Sequence, residues 1–250
     1  MKTKVFAHRG AMGDYPENTL LAFKKALDAG CDGLEIDVHL SRDGEVVVIH
    51  DEDIARTTDG EGAVRDMTLE SLRKVSAGVT FSDYKYYDRE VWKREKIPAL
   101  NEVLALSEAY NVELNIELKT DVIQYEGIER RVFDIVEAYG CQEKAIYSSF
   151  NLSSLARMKM IHPDARLAWL TKKVPERPED FMEDHSLEAL HISWKAILEQ
   201  PERISGIGER IRAWTVNDWE TAAHLIGHGV GTLVTDYPKE MKEILWNVEK

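Results

Sequence analysis

Short β-type apolar runs alternate with amphipathic stretches of helical period along most of this chain. Residues 4–7 read as a first strand, ending at His8-Arg9-Gly10. Asn18 or Thr19 can cap the helix that follows, with Leu20, Phe23 and Leu27 recurring on one face until Gly30. A second strand spans 33–40, and Asp43-Gly44 turns the chain back into Val46, Val47, Val48 and Ile49. Asp-Gly between β-branched runs is a strong hairpin signal. From Asp51 onward the pattern weakens to polar turns, a helical piece around Leu69 and a cluster of Phe81, Tyr84, Tyr86, Tyr87 and Trp92. A structureless loop of that length is rare in a compact domain. Residues 51–97 therefore read as a small insertion with its own minor core, near the functional site, inside a single domain of residues 1–250.

After Pro98 the units become regular. Helices over 99–110, 125–139, 152–161, 179–185 and 218–226 alternate with strands at 113–118, 145–148, 166–170, 189–192, 211–215 and 231–235. A final helix carries Met241, Ile244, Leu245 and Val248. The return arm of the hairpin should be antiparallel. Without it, the strands begin near residues 4, 33, 113, 145, 166, 189, 211 and 231, which makes eight. Eight strand–helix units in 250 residues indicate a closed (β/α)8 barrel. The alternative, an open doubly wound sheet, usually has fewer strands, and no Gly-x-Gly-x-x-Gly turn follows the first strand here.

The hairpin concentrates the chemistry. A turn centred near Asp43 opposes residues whose numbers sum to about 85–87, so His50 is expected opposite Glu35 or Asp37 and on their face. Barrel active sites lie at the C-terminal ends of the strands. Those ends here carry His8-Arg9, Glu35 with Asp37, Glu117-Leu118-Lys119, Ser148-Ser149-Phe150, Trp214-Thr215-Val216-Asn217 and Asp236. Glu35, Asp37 and Glu117 are three hard oxygen donors suited to one divalent cation, Mg²⁺, Ca²⁺ or Mn²⁺, better than to zinc. Read without a metal, they are salt-bridge partners of Arg9 and Lys119. His8 and His50 are the candidate acid and base, since an unperturbed imidazole titrates at about 6.5. Arg9 and Lys119 offer cations where a phosphate oxygen could sit. Trp214 is either a core filler or an aromatic wall for an apolar part of the substrate. The other histidines, 39, 162, 185, 191, 224 and 228, read as surface or core residues. The set fits metal-assisted cleavage of a phosphodiester.

Charge and composition narrow the partners. A net charge of −13 excludes a nucleic-acid surface and disfavours stable association with an anionic membrane. An anionic substrate must be drawn in by local cations. Cys31 and Cys141 fall in no metal-ligand spacing and read as thiols of a reducing compartment. No apolar run reaches transmembrane length and the N-terminus shows no signal-peptide core, so a cytoplasmic protein is expected. A monomer or small homo-oligomer is expected too.

Taken together, His8-Arg9-Gly10, Pro16-Glu17-Asn18-Thr19, Glu35-x-Asp37, His50-Asp51, Glu117-x-Lys119, Ser149-Phe150, Trp214-Thr215-Val216-Asn217 and Thr235-Asp236-x-Pro238 resemble the glycerophosphodiester phosphodiesterase family. The match runs from residue 5 to about 240 in family order. The resemblance implies a TIM barrel of the PLC-like phosphodiesterase type with an insertion after the His-Asp motif. By position, Glu35, Asp37 and Glu117 then look like ligands of a divalent cation. His8 and His50 look like the acid–base pair, and Arg9 and Lys119 like phosphate contacts. The implied reaction hydrolyses glycerophosphodiesters, such as glycerophosphocholine or glycerophosphoethanolamine, to sn-glycerol 3-phosphate and an alcohol. A lysophospholipase D acting on acyl-bearing lipids is the enzymatic alternative, and a non-catalytic binding barrel the alternative of another class.

Overall fold

The computed structural model describes residues 2–248, with side chains as far as Trp246, so Val248's side chain lies outside the described part. The chain forms β1 (Lys4–Ala7), α1 (Leu20–Asp28), β2 (Gly33–Leu40), β3 (Val46–Val48), α2 (Leu69–Leu72), α3 (Arg89–Trp92) and α4 (Leu100–Ser107). Then follow β4 (Glu113–Leu118), α5 (Ile128–Ala138), β5 (Ala145–Ser149), α6 (Leu152–Ile161), β6 (Leu167–Thr171) and α7 (Pro178–Asp184). The last elements are β7 (Ala189–Ser193), α8 (Trp194–Glu199), β8 (Ile211–Trp214), α9 (Trp219–Gly227), β9 (Thr232–Thr235) and α10 (Pro238–Val248).

Eight of the strands pair in parallel in the order β1-β9-β8-β7-β6-β5-β4-β2, and β1 also pairs with β2, which closes the ring. This is the (β/α)8 barrel expected from the strand count. The outlying strand is β3, antiparallel to β2 through Val38–Val48, His39–Val47 and Leu40–Val46. Among the described residues no helix is long and apolar enough to cross a membrane.

Local sequence explains the units. Thr19 is the cap of α1, its Oγ1 accepting the Ala22 N–H at 3.2 Å, and the helix buries Ala22, Phe23, Ala26 and Leu27. All eight residues of β2 are buried. Its outer face, Leu34, Ile36, Val38 and Leu40, joins the main core under the helices. Each such aliphatic side chain stabilises the fold by about 1.5–3 kcal/mol. Its inner face, Glu35, Asp37 and His39, is polar. That inversion is the reverse of what stability favours, and it marks the barrel mouth.

Below the mouth, Ile146, Ala168 and Ala189 form a small separate cluster on the strand faces that also carry Ser148, Leu170 and His191. The base is closed by ion pairs. Arg212 meets Glu113 at 3.2 Å and lies 4.6 Å from the Phe6 ring centroid, while Arg166 bonds Glu113 at 2.9 Å and Glu188 at 2.7 Å. Lys4 also pairs with Glu113.

Between β3 and α4, Ile54, Val64, Leu72, Ala77 and Ile97 pack on Val47 and Ile49. The segment's cluster is thus shared with the hairpin. Trp92 is buried, with Tyr84 and Tyr87 edge-on at 6.2 and 5.4 Å between centroids. Of the final helix, Met241 and Leu245 are buried and Ile244 packs against the core.

Candidate active site

The three acidic residues converge because of strand register. Asp37 and Glu117 are direct partners on the adjacent parallel strands β2 and β4, and Glu35 lies two residues before Asp37 on the same face. One carboxylate oxygen from each of Glu35, Asp37 and Glu117 lies within 4.8 Å of the others, and all three residues are buried.

The loop after β1 supports them. Arg9 (φ 51°) donates its backbone N–H to Glu35 Oε2 at 2.9 Å, and Asn18 (φ 55°) donates Nδ2 to Asp37 Oδ2 at 2.9 Å. Gly10 between them has φ +81°, and a Cβ there would come within 2.6 Å of the Ala22 carbonyl carbon. Only glycine lets this loop lie against α1. The Arg9 side chain places Nε 3.2 Å from Asp37 Oδ2, and Lys119 Nζ lies 2.9 Å from Glu117 Oε1 and 3.7 Å from Asp37 Oδ1. Both cations reach the acids, as the salt-bridge reading expected, and both line the cavity above them.

These contacts split the acids electrostatically. Burial works against charge on Asp37, but Arg9 and Lys119 together with the Asn18 bond hold its carboxyl well below the usual range. Burial, then Asp37 and Glu117, push Glu35 well up. Burial pushes Glu117 up to about 7 against the opposing charge of Lys119. Asp37 Oδ1 is buried without a hydrogen-bond partner. Three buried carboxylates with an orphaned oxygen and two carboxyls driven toward protonation fit a hard divalent cation, which would relieve all three costs. The acidic triad could hold a metal.

Both histidines line the cavity, each gripped by an aspartate. His8 Nδ1 is 2.6 Å from Asp236 Oδ1, and Asn217 Nδ2 steadies the other oxygen of Asp236 at 2.6 Å. His50 Nδ1 is 2.5 Å from Asp51 Oδ1. Holding Nδ1 leaves Nε2 for the cavity. Burial lowers the His50 pKa, with Arg9 and Lys119 adding to the effect and Asp37 opposing it, so the ring is neutral near pH 7.

The route of His50 into the site differs from the expected one. Paired residue numbers on β2 and β3 sum to 86, and Ile49 N–H donates to Asp37 O at 3.2 Å, so continued register would set His50 beside Ile36, on the opposite face from Glu35 and Asp37. Strand pairing ends at Val48, and the chain's departure from the strand brings His50 into the cavity with Glu35 and Glu117. The convergence stands; strand parity is not its cause.

The cavity has a volume of about 380 Å³. Trp214 lines it, its Nε1 donating to His191 O at 2.9 Å and its ring edge-on to Phe150 at 5.9 Å. His191, expected only at the surface or in the core, is buried and also lines the cavity. A larger cavity, about 830 Å³, lies between α1 and α10 and contains none of the acids or histidines of this site. Sequence reasoning gives no role to Asp236, although it places it at a strand end of the site, nor to Asp51 and Glu17, although both stand in the family motifs, and it does not single out Arg56. Adjacency to His50 could have suggested Asp51. Asp236 becomes a neighbour of His8 only when the last strand closes on the first.

Comparison with known proteins identifies the family. The profile of the Glycerophosphoryl diester phosphodiesterase family matches residues 8–240. A glycerophosphodiester phosphodiesterase of Caldanaerobacter subterraneus subsp. tengcongensis is 38% identical over 96% of this chain and 97% of its own length. One of Bacillus altitudinis is 36% identical over 97% and 98%. Among solved structures, an Oleispira antarctica phosphodiesterase in complex with the product sn-glycerol-3-phosphate superimposes with a TM-score of 0.87 at 30% identity, covering 98% of this chain and 97% of that one. The chain belongs to the glycerophosphoryl diester phosphodiesterase family and is an enzyme of that kind.

Proposed function

We propose that this enzyme hydrolyses glycerophosphodiesters such as glycerophosphocholine and glycerophosphoethanolamine to sn-glycerol 3-phosphate and an alcohol, with one divalent cation, Mg²⁺, Ca²⁺ or Mn²⁺, at Glu35, Asp37 and Glu117. The observation that carries the reading is the pair of aspartate-held histidines flanking a buried three-carboxylate cluster. Formal charge supports it. Three carboxylates against Arg9 and Lys119 leave one negative charge; a divalent cation turns that into one positive charge, which a phosphodiester anion cancels. The bound cation would supply Lewis-acid neutralisation of the charge that builds on phosphorus-bound oxygens.

In this reading Arg9 and Lys119 hold the phosphate oxygens in the cavity they line. One histidine takes the proton of the attacking oxygen at Nε2, and the other delivers a proton to the departing alkoxide. Trp214 and Phe150 form an apolar wall that keeps water from the non-reacting part of the substrate. The relative bound to sn-glycerol-3-phosphate supports a glycerol-bearing substrate.

A second reading, a lysophospholipase D, draws on the apolar rim. Val122, 69% exposed, lines the cavity with Phe150, Leu170 and Trp214. One assay tests both. Release of the head-group alcohol is measured over a panel of glycerophosphodiesters with each cation and with EDTA, beside lysophosphatidylcholine, with glycerol 3-phosphate followed as the second product of the short diesters. Turnover of the short diesters that EDTA abolishes is expected. Preference for the lysolipid would transfer the assignment to the second reading, and activity indifferent to EDTA would end the metal assignment.

A further inference from the structure

We propose that Arg56 is a positioning residue that orients His50 through Asp51 and Arg9 through Glu17. The inference rests on the proposed roles of His50 as acid–base and Arg9 as phosphate contact. Arg56 ends a single turn, Ile54–Arg56, that Asp53 caps by accepting the Ala55 N–H at 2.9 Å. Its guanidinium makes two forks at once. Nε and Nη2 reach Asp51 at 2.5 and 3.0 Å, and Nη1 and Nη2 reach Glu17 at 2.7 and 2.8 Å. Beyond the first fork, Asp51 grips His50 Nδ1 at 2.5 Å. Beyond the second, Glu17 accepts from Arg9 Nη1 at 2.8 Å, and Arg9 in turn reaches Asp37 and Glu35. Arg56 itself does not line the cavity, so any effect on turnover passes through these neighbours.

The simpler role, neutralising a buried acid, explains only half of this. The Glu17 side chain is 3% exposed and needs a cation, but Arg9 already bonds it. Asp51 is 30% exposed and needs no partner to stay charged. What the Asp51 fork does is fix that carboxylate in one orientation, and with it the imidazole. Arginine suits the task because its planar fork spans two carboxylates with fixed donor geometry, whereas a lysine ammonium is a point charge on a flexible stem.

The test is steady-state kinetics on glycerophosphocholine with saturating Mg²⁺ for the wild type, Arg56→Ala, Arg56→Lys, Asp51→Asn, the Arg56→Ala/Asp51→Asn double variant and His50→Ala, with thermal melts of each. Arg56→Ala is expected to lose ~10–100-fold in kcat, as supporting partners of a reactive site do, and to raise KM through Arg9. Arg56→Lys is expected to recover the melt without recovering kcat. The double variant should have the kcat of Asp51→Asn alone, because both changes cut one chain of contacts. Wild-type kcat in Arg56→Ala, full recovery of kcat and KM in Arg56→Lys, or losses that multiply in the double variant would each overturn the proposal. If Arg56→Ala does not fold, Arg56→Lys decides the matter. His50→Ala separates the two levels. Normal turnover there removes the acid–base reading itself; with His50→Ala inactive, the Arg56 results bear on positioning alone.

Discussion

His39 Nε2 lies 3.0 Å from the backbone carbonyl oxygen of His50, and His39 Nδ1 lies 3.0 Å from the Tyr125 hydroxyl. Burial lowers the His39 pKa and keeps the ring neutral. Donation from Nε2–H to the carbonyl then leaves Nδ1 to accept from tyrosine, a tautomer inferred from the network. The ring is edge-on to Tyr125 at 5.5 Å between centroids. A buried strand residue thus pins the backbone of a residue that has already left the partner strand.

Replacing the pin should cost turnover more than binding. His39→Ala is expected to lower kcat by about 10–100-fold with a smaller change in KM, since small displacements of a reacting group carry penalties of that order. Tyr125→Phe removes only the hydroxyl and should cost about 1 kcal/mol of stability. Kinetics and denaturant melts of the two variants check both.

Loss of either imidazole should be more severe. His8→Ala and His50→Ala are each expected to reduce kcat by ~10²–10⁴-fold, the range of general acid–base contributions. Both side chains border the cavity and neither belongs to the core, so melting temperatures should stay near the wild-type value. Activity near wild type in either variant would remove that histidine from the mechanism.

Cation affinity should depend on pH in a fixed direction. Glu117 is held up at about 7, so below that pH an incoming ion must displace its proton. The concentration of Mg²⁺ that half-activates the enzyme should fall as pH rises from 6 to 8. Titrations of activity and of direct binding at several pH values measure it, and a half-activating concentration that rises with pH would contradict the assignment.

The base of the barrel should govern acid stability. Burial alone would raise the Glu113 pKa, but the Lys4 hydrogen bond and the charges of Arg212 and Arg166 hold it at about 2 against an ordinary 4.5. A depressed folded-state pKa contributes stability that is present above 4.5 and lost as pH falls from 4.5 toward 2. Glu113→Gln should lack that part of the acid sensitivity. At neutral pH it should also lose as much as ~3–5 kcal/mol, because the buried Arg212 guanidinium keeps only the Glu188 carboxylate, 3.9 Å away. Urea melts at pH 7 and pH 3 check both halves.

Strand positions were readable because the signal is local. Apolar period, caps such as Thr19 and punctuation such as Gly30 act within a few residues, and strands expected near 4, 33, 113, 145, 166, 189, 211 and 231 begin at Lys4, Gly33, Glu113, Ala145, Leu167, Ala189, Ile211 and Thr232. Polar residues that alternate with aliphatic ones along the strands also point to Glu35, Asp37 and Glu117, because a polar strand face is costly to bury without a partner. The Asp43-Gly44 hairpin was likewise legible, and its register of 86 falls within the expected range.

That same register shows where local reasoning stops. A two-residue period can follow His50 only while the chain remains a strand, and the strand ends at Val48. The His8–Asp236 contact joins residues 228 positions apart, brought together by closure of β9 on β1. Arg56 reaches Glu17 across 39 positions, which no pattern within the segment encodes. The sequence by itself determined the units, their order and the acids at the strand ends, since these follow from hydrophobic period and the cost of burying charge. Tertiary structure alone decided that Asp236 holds His8 and that Arg56 joins Asp51 to Glu17, because hydrogen bonds between distant segments exist only once the chain has folded.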